Sequence, residues 1–552
     1  MKTVSEKRVR HYVVEPKSKR LVKDIRFHLA MTAAACLTIG IAQSVQAFDA
    51  VVPLSSLNGS NGFRLGGVNN RDQFGDAVSN AGDINADGID DLIVGAYEAA
   101  DSGGSGSAYV LFGSTAGFAA RLNPTSLNGA NGFRLDGSNA GRYTGRSLSG
   151  AGDVNGDGVD DIIIGAELAG DLGSHSGSSY VVFGSTSTFA ATLSLSALNG
   201  TNGFRLDGVS ADDYSGKSVS GAGDINGDGI DDIIIGAPEA DPNGTDSGAS
   251  YVLFGSSTGF AAVLSLSTLN GSNGFRLDGA SQNDRSGRAV SDVGDVNGDG
   301  LDDLIIGAYG TNDWTGSSYV LFGSTSGFAA TLDLTGLNGT SGFRLDGINK
   351  YDGAGLTVSG AGDINGDDIA DLMIGAQRAS APSDAYNYAG VSYVVFGSTA
   401  GFNAVINLSS LDGTNGFDMG GSQLYENAGS SISGAGDINS DGIDDLIIGA
   451  SQANRQSGAG YIVFGNTTGF NPALSLSTLN GSNGFRIDGE PFSFAGSSVS
   501  SAGDINGDGI NDLIIGAQAA RSTPDVPGGE GAAYVVFGQG KSDLIFAEGF
   551  EN

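Results

Sequence analysis

The chain of 552 residues carries 62 Asp and Glu against 27 Lys and Arg, which gives a formal net charge of −35. This acidity excludes nucleic acid as an expected partner, because phosphate groups are bound by basic surfaces. With 93 Gly and only 10 Pro the chain must contain many turns, yet its hydrophobic fraction of 39% is too high for a disordered protein.

The N-terminal segment has the features of a signal peptide. Residues 1–26 are basic, residues 27–41 are mostly apolar, and Val45-Gln46-Ala47 fits the small-x-small pattern of a cleavage site. We therefore predict that residues 1–47 are removed, that the protein is secreted or displayed at the cell surface, and that no membrane span remains. An uncleaved anchor and lipidation of Cys36 are the alternatives. Because Cys36 is the sole cysteine, the mature chain has no disulfides.

One motif dominates the remaining sequence, and its clearest copy, DINGDGIDDIIIGA, spans residues 224–237. Calcium prefers six to eight oxygen ligands, and the first half of the motif offers oxygen side chains at positions one, three, five and nine. Gly229 allows the sharp bend, and the carbonyl of Ile230 at position seven is a further expected ligand. Unlike an EF-hand, the motif has Ile235 at position twelve, within a short β-branched run that favours a strand. The loop is therefore predicted to join two strands.

The motif occurs seven times at intervals of 67 to 74 residues, and its first position falls at Asp83, Asp153, Asp224, Asp295, Asp363, Asp437 and Asp504. Each interval contains four short segments separated by turn residues; in the third repeat these are residues 216–220, 233–236, 251–255 and 274–277. Four strands per interval are typical of a propeller blade. We predict an all-β fold, a seven-bladed β-propeller of four-stranded blades over residues 57–540, with calcium loops between first and second strands. A linker at 48–56 and a tail at 541–552 are expected to flank it.

The two ends of the repeat region complement each other. Residues 57–65 (LNGSNGFRL) form a final-strand segment with no blade before it, and the last repeat ends after its third segment, residues 534–538. We predict that Gly62–Leu65 supplies the outer strand of the seventh blade, which closes the ring and removes a free sheet edge.

Three stretches of the third repeat carry a resemblance to a known family: GKSVS at 216–220, GDINGDGIDDIIIGAP at 223–238 and YVLFG at 251–255. They resemble the FG-GAP repeats of the integrin α-subunit propeller and its bacterial relatives. The resemblance implies a seven-bladed propeller with structural calcium between the first and second strands. It also implies that partners bind mainly on the opposite face, through loops that enter the first strand and loops between the second and third strands.

The resemblance assigns up to seven structural calcium ions to the seven loops. The implied ligands are Asp83, Asn85, Asp87 and Asp91; Asp153, Asn155, Asp157 and Asp161; Asp224, Asn226, Asp228 and Asp232; Asp295, Asn297, Asp299 and Asp303; Asp363, Asn365, Asp367 and Asp371; Asp437, Asn439, Asp441 and Asp445; and Asp504, Asn506, Asp508 and Asp512. The fifth loop departs by having Asp368 where the others have Gly, which predicts backbone strain. The alternative, that these residues are turn formers without a metal, is disfavoured because three carboxylates in one loop repel each other.

Catalysis has few candidate groups, because the mature chain contains one histidine, His175, and no cysteine. Every regularly placed carboxylate belongs to a loop, so we predict that the protein is not an enzyme, and a polysaccharide-active enzyme is the least favoured alternative. The preferred hypothesis is a secreted, calcium-stabilised adhesion or recognition module that binds an extracellular protein or glycan. A structural scaffold of a surface layer or matrix is the second hypothesis. The candidate partner contacts are Trp314, Tyr386 and Tyr388, with Arg142, Tyr143, Arg285 and Tyr425 in loops that enter first strands.

Overall fold

The computed structural model describes residues 48–99, 104–138, 143–170, 172–380, 388–521 and 529–540. The predicted signal peptide at 1–47 and the predicted tail at 541–552 lie outside these residues. The described strands form seven five-stranded sheets, which are the blades. The first strands of neighbouring blades pack against each other in a ring, in which the first and seventh blades are also neighbours. The protein is thus an all-β, seven-bladed β-propeller.

All blades share one order of strands, with the first strand at the centre of the ring. The first strands are Phe74–Gly82, Ser147–Gly152, Ser218–Gly223, Ala289–Gly294, Thr357–Gly362, Ala428–Gly436 and Ser498–Gly503. The second strands are Asp91–Ala96, Asp161–Ala166, Asp232–Ala237, Asp303–Ala308, Asp371–Ala376, Asp445–Ala450 and Asp512–Ala517. The third strands are Ser107–Leu111, Ser178–Val182, Ala249–Leu253, Ser317–Leu321, Val391–Val395, Ala459–Val463 and Ala532–Val536.

The outer part of each blade consists of a fourth and a fifth strand, which do not directly follow the third strand in the chain. The fourth strands of blades one to seven are Gly132–Asp136, Gly203–Asp207, Gly274–Asp278, Gly342–Asp346, Gly416–Gly420, Gly484–Asp488 and Gly62–Gly66. The fifth strands, in the same order, are Thr192–Ser194, Val263–Ser265, Thr331–Asp333, Val405–Asn407, Ala473–Ser475, Val51–Pro53 and Arg121–Leu122. One-turn 3-10 helices follow the fifth strands at Leu54–Ser56, Pro124–Ser126, Leu195–Ala197, Leu266–Thr268, Leu334–Gly336, Leu408–Ser410 and Leu476–Thr478.

The four predicted strands of each blade are antiparallel neighbours. In the third blade Val219 pairs with Ile235, Ile235 with Tyr251, and Tyr251 with Arg276. The second strands are buried along their whole length, since a neighbouring blade covers each face. Their recurring Gly is required by a close approach: a Cβ added to Gly236 would lie 2.0 Å from the carbonyl oxygen of Gly287 in the fourth blade. Side chains and backbone thus fix the spacing between blades.

The hydrophobic core is divided into layers between neighbouring blades. Between the second and third blades, Ile163 and Val181 pack against Ile233 and Tyr251. Near the rim, the Phe of each Gly-Phe pair in a fourth strand stacks on a second Phe. In six blades this Phe belongs to the segment after the neighbouring blade's third strand, as for Phe204 and Phe260 with ring centroids 4.3 Å apart, and in blade six it is Phe48. Each repeat therefore completes the core of its predecessor, as expected for a repeat architecture.

The pairing that closes the ring is the one predicted from the sequence. Gly62–Gly66 is antiparallel to Ala532–Val536, with Phe63 opposite Val535 and Leu65 opposite Ala533. The N-terminal and C-terminal ends of the repeat region therefore share the seventh blade.

The expectation of a linker at residues 48–56 is corrected by the structure. Val51–Pro53 pairs in parallel with the fourth strand of the sixth blade, with Val51 opposite Arg486. Phe48 stacks on Phe485 with ring centroids 4.4 Å apart, and Leu54 is 2% exposed. The segment is ordered because it covers a free sheet edge and an aromatic ring, as the fifth strand does in the other blades.

Two four-residue helical turns, Thr311–Trp314 and Ala453–Gln456, occur between second and third strands, and each contains residues with left-handed backbone angles. No helix within the described ranges has the length and apolarity needed to cross a membrane.

Acidic loops and the opposite face

The seven predicted calcium loops, which we call the acidic loops, run from position one to position nine of each motif. Each begins just after a first strand and ends on the first residue of a second strand, so all seven lie on one face of the ring. In the third loop, Asp224 follows Gly223 and Asp232 begins the strand Asp232–Ala237. The structure therefore places the predicted residues of each loop together within a single strand–loop–strand unit.

The Asp at position one organises each loop by accepting backbone hydrogen bonds. In the third loop Oδ1 of Asp224 accepts from the N–H of Asp228 at 2.9 Å, and Oδ2 accepts from the N–H of Gly229 at 2.8 Å. Oδ1 of Asp228 accepts from the N–H of Ile230 at 3.1 Å. The equivalent bonds to the position-one Asp occur in the other six loops. The seven loops are therefore copies of one geometry.

The Asp at position nine is buried in every loop. Asp232 has no exposed surface, and its Oδ1 accepts a 2.8 Å hydrogen bond from the N–H of Gly255. Burial raises the pKa of Asp232 to about 8, and the nearby charges of Asp228 and Asp224 contribute to the rise. A carboxylate in this setting is held in its ionised form only if positive charge is brought close to it.

The donor set of the loops matches a hard divalent cation. Each loop offers carboxylate, amide and carbonyl oxygens, and among the described residues no Lys or Arg forms an ion pair with a loop carboxylate. Within the same ranges, no three acidic or His side chains already stand together as a complete metal cage. The ligand positions of calcium therefore stay a prediction, although the chemistry of the residues fits that ion.

Asp368 gives the fifth loop the strain that the sequence predicts. Its φ is +66°, in the left-handed region, whereas the equivalent glycines have φ between +86° and +92°. Its N–H still donates to Oδ2 of Asp363 at 2.7 Å. The fifth loop thus keeps the common geometry with a residue that disfavours it.

A side chain that sequence reasoning missed joins neighbouring loops. The Asp at position eight of one blade accepts a hydrogen bond from the position-one N–H of the preceding blade, as Oδ2 of Asp302 does from Asp224 at 2.8 Å. We call this hydrogen bond between neighbouring blades the clasp. Equivalent clasps are formed by Asp90, Asp160, Asp231 and Asp444. Blade five has Ala370 at this position and makes only a backbone bond, from its N–H to the carbonyl oxygen of Asp295 at 3.3 Å. The repeated Asp-Asp pair was the available signal.

The opposite face consists of the connections that enter first strands and those between second and third strands. Trp314 is half-buried there, packed edge-on against Tyr309 at 5.2 Å and beneath the guanidinium of Arg285 at 5.5 Å. Arg285 also donates from Nη1 to the hydroxyl of Tyr309 at 2.9 Å. The structure therefore brings Trp314 and Arg285 together as one packed cluster.

The remaining predicted contacts are distributed around the same face. Tyr388 and Tyr425 stack with centroids 5.9 Å apart and are 39% and 61% exposed. Tyr143 packs edge-on against Tyr97 at 5.1 Å. Tyr386 and Arg142 lie outside the described residues. Among the predicted contacts that the structure describes, the tyrosine pair of blades five and six is thus the most accessible.

His175 also lies on the opposite face, but its contacts do not form a catalytic triad. Ser174 Oγ and Asp212 Oδ1 both approach the same ring nitrogen, Nδ1, at 3.4 Å and 3.1 Å. In a triad the nucleophile and the acid contact opposite nitrogens. The ring is stacked on Tyr214 at 5.4 Å, which gives His175 a packing role.

Three basic residues that sequence reasoning overlooked line one side of the central channel on the opposite face. Arg146, Lys217 and Arg288 immediately precede the first strands of blades two, three and four, and they line a cavity of about 290 Å³. Their signal in the sequence is a Lys or Arg directly after the Gly that precedes each of these strands.

Comparison with known proteins identifies the repeats. FG-GAP repeats are matched at residues 74–111, 144–182, 215–253, 289–321, 428–463 and 495–536. The chain is 30% identical to integrin alpha-PS2 of Drosophila melanogaster over 241 residues, which cover 42% of this chain and 15% of that protein. It is 29% identical to integrin alpha-V of Gallus gallus over 246 residues, or 42% of this chain and 20% of that protein.

Similarity extends to a protein named as an enzyme and to one solved structure. The chain is 32% identical over 161 residues to the phosphatidylinositol-glycan-specific phospholipase D of Bos taurus, which is 28% of this chain and 18% of that protein. The crystal structure of the V. cholerae biofilm matrix protein Bap1 aligns over 89% of this chain and 91% of its own, with 13% identity and a TM-score of 0.24, which is too low to carry an argument.

The chain thus spans one fifth or less of the length of these three curated relatives. Six matched repeats, seven copies of the acidic loop and a closed seven-bladed ring agree with one another. The chain is an FG-GAP repeat protein with a propeller of the integrin α type.

Proposed function

We propose that the protein is an extracellular recognition module of the adhesion type, which is stabilised by calcium and binds a protein or a glycan through its opposite face. The observation that carries this proposal is the contrast between the two faces. Seven copies of one acidic loop occupy one face, whereas the connections on the other differ in length and in side-chain chemistry. Variable loops on a rigid repeated frame are the usual place for recognition. The similarity to integrin α chains supports an adhesion-type role.

Calcium is proposed as the structural ion of the acidic loops. In the third loop it would be held by Asp224, Asn226, Asp228 and Asp232 and by the carbonyl of Ile230. A bound divalent cation supplies the positive charge that keeps three neighbouring carboxylates ionised. If each site had a Kd of about 10⁻⁴ M in about 1 mM calcium, it would add about 1.4 kcal/mol, or roughly 10 kcal/mol for seven independent sites. A contribution of this size equals the whole stability of an ordinary domain.

Aromatic side chains are the proposed contacts on the opposite face. Tyr388 and Tyr425 are accessible and stacked, and Tyr386 lies two residues from Tyr388 in the chain. Trp314 contributes through the cluster that it forms with Arg285 and Tyr309. Tyr, Trp and Arg are the residues that most often dominate binding energy at interfaces, because they combine a large apolar surface with a polar group.

The test is retention of the mature chain, residues 48–552, on a panel of polysaccharides, matrix proteins and cell surfaces in millimolar calcium. We expect specific retention by the wild type that is lost when Tyr388 and Tyr425 are both changed to Ala. The matched control is Val405→Ala, because Val405 is 46% exposed but lies in a fifth strand at the rim. Equal retention of the tyrosine double variant, or no retention of a folded wild type, would contradict the proposal.

A structural scaffold is the second candidate, and the near-identity of the seven blades favours it. Repeated equal surfaces suit self-assembly because every blade offers the same contacts. Light scattering of the purified chain in calcium distinguishes the two functions. Large assemblies formed without any ligand support the scaffold, whereas a monodisperse chain supports recognition.

A further inference from the structure

The centre of the ring on the opposite face differs in charge from the rest of the protein. We call the cavity there the channel mouth. One equivalent residue of each blade lines it: the residue just before the first strand in five blades, and the third residue of the longer first strands of blades one and six. In blade order these residues are Asp76, Arg146, Lys217, Arg288, Leu356, Ser430 and Ser497. Three bases and one acid line this cavity, although acids outnumber bases by 62 to 27 in the whole chain. The three bases lie on consecutive blades, so positive charge is concentrated on one side of the mouth.

Two of the three bases already have a protein partner. Glu167 is 3% exposed and contacts both Arg146, at 2.9 Å from Nη1, and Lys217, at 2.5 Å from Nζ. Asp76, at the blade-one side of the mouth, is buried enough to raise its pKa to about 6, and the charges of Arg146 and Lys217 oppose that rise. The acids near the mouth are therefore associated with blades one to three.

Arg288 is different, because its guanidinium forms neither an ion pair nor a hydrogen bond within the described part of the chain. The residue is half-buried and lines the cavity directly. A guanidinium carries five N–H donors in a planar fork that matches a carboxylate, and a half-buried one gains most from such a partner. Among the described residues, Arg288 is thus a cation without a side-chain partner, and it lines a space of about 290 Å³.

The other side of the mouth is uncharged, with Leu356 in blade five and hydroxyl side chains in blades five to seven. Ser430 and Ser497 line it and donate from Oγ to the carbonyl oxygens of Gly449 at 3.3 Å and Gly516 at 3.4 Å, and Ser430 Oγ also accepts a 3.4 Å hydrogen bond from the N–H of Ser451. Thr357 also lines the cavity and donates from Oγ1 to the carbonyl oxygen of Gly429 at 2.9 Å. Neutral hydroxyls of this kind match the hydroxyl groups of a sugar better than a second charge or an apolar side chain.

We propose that the channel mouth binds the carboxylate-bearing sugar of an acidic polysaccharide. Arg288 would hold the carboxylate, and the hydroxyl side chains of blades five to seven would face the sugar ring. The cavity volume of about 290 Å³ lies just below the usual range of small-ligand sites, about 300–1,000 Å³, which suits one sugar unit of a longer chain. This inference rests on the proposed recognition function and names its ligand. The loop-face end of the channel, a cavity of about 410 Å³ lined mainly by Ser and Gly, has Asp231 and Asp292 in its lining and no base, so it is the less suitable end for a carboxylate.

The test uses the full mature chain in calcium and titrates it with sodium glucuronate in a calorimeter, with glucose as the neutral probe. We expect glucuronate to bind and glucose not to bind. The key variant is Arg288→Ser, since blades six and seven have Ser at the same position and fold with it. It should weaken glucuronate binding by about tenfold or more, because a charge-assisted hydrogen bond is lost. Lys350→Ser is the matched control: Lys350 is exposed on the same face and pairs with Asp313 at 2.5 Å.

A gain-of-function variant keeps the inference testable if Arg288→Ser is poorly folded. Leu356→Arg extends the row of bases to blade five and should tighten glucuronate binding.

Equal binding by wild type and Arg288→Ser, or no binding by a folded wild type that is retained on the panel, would overturn this inference alone. Sulfate that binds as tightly as glucuronate would mean an adventitious ion only, and tighter binding of an Asp-rich peptide would replace the sugar by a protein partner; both outcomes overturn the proposal. A wild type that is retained nowhere overturns the proposed function itself.

Discussion

Single residues in the acidic loops show how far the seven copies can differ without losing their geometry. Position six needs a left-handed backbone, which glycine adopts freely and other residues adopt at a cost. Six loops have Gly there, and the fifth has Asp368 with φ +66°. The carboxylate adds negative charge next to Asp363 and Asp367, which a cation would offset. The strain in the fifth loop is therefore a local cost that the remaining hydrogen bonds of the loop tolerate.

We expect Asp368→Gly to stabilise the protein by about 0.5–1 kcal/mol, because a left-handed residue is replaced by one without a Cβ. Thermal melting in millimolar calcium measures the effect as a rise in Tm. The reciprocal change, Gly300→Asp in the fourth loop, places the same side chain in the equivalent position and should lower the Tm. A fall in Tm for Asp368→Gly would show that the carboxylate has a role that outweighs the strain.

Among the elements, the clasp at position eight links the acidic loops of neighbouring blades into groups. Blades seven, one, two, three and four are joined in series by four clasps, and blades five and six by one. Ala370 leaves the junction between blades four and five without a carboxylate acceptor, and no such bond joins Asn511 of blade seven to blade six. A hydrogen bond from a partly buried backbone N–H to a carboxylate contributes about 1.5 kcal/mol, at the low end for bonds to charged groups, so these two junctions should open first.

Hydrogen exchange followed by mass spectrometry tests this order of opening. The peptide that contains the clasped N–H of Asp224 should exchange more slowly than the peptide that contains Asp295, whose N–H faces Ala370. Asp302→Ala should speed exchange at Asp224 and leave the junction at Ala370 unchanged. Uniform exchange at all seven loops, or no change at Asp224 in this variant, would show that the clasps do not determine local stability.

At the scale of the whole molecule, the repeated pattern predicted most of the fold. Seven acidic loops at regular intervals, each followed by a fully apolar strand, allow one architecture, and the unmatched segment at Gly62–Leu65 identified the closing strand. The fifth strands were missed because three residues such as Val51–Pro53 carry no strand signal of their own and are ordered by the edge that they cover. The sequence LSSLNG at 54–59 repeats LSALNG at 195–200 and was the available sign.

The candidate site on the opposite face was less accessible to sequence reasoning for a physical reason. Arg146, Lys217 and Arg288 are about 71 residues apart, and their charges act together only after the ring places three blades side by side. Trp314 and Arg285 were singled out separately, whereas the structure packs them against each other. The loops repeat and could be predicted; a site built from one residue per blade could not.

Closure of the ring makes the N-terminal segment important for the stability of the whole propeller. Residues 48–66 supply the fifth strand of blade six and the fourth strand of blade seven. Their deletion should lower the Tm far more than deletion of residues 541–552, because it exposes Phe485 and removes the partner of Ala532–Val536. Melting of the two truncated chains in calcium measures the difference. Equal losses of stability would contradict closure through the N-terminal strand.

The account depends most on the claim that the acidic loops bind calcium and that this calcium holds the propeller together. The most direct measurement is the Tm of the mature chain after exhaustive chelation, compared with the Tm as calcium is restored in steps to millimolar concentration. We predict a large fall in Tm on chelation and a progressive recovery that magnesium does not reproduce, since flexible oxygen-rich loops favour calcium. A Tm that stays the same with and without calcium would contradict the claim, and the seven loops would then be turns stabilised by their own hydrogen bonds.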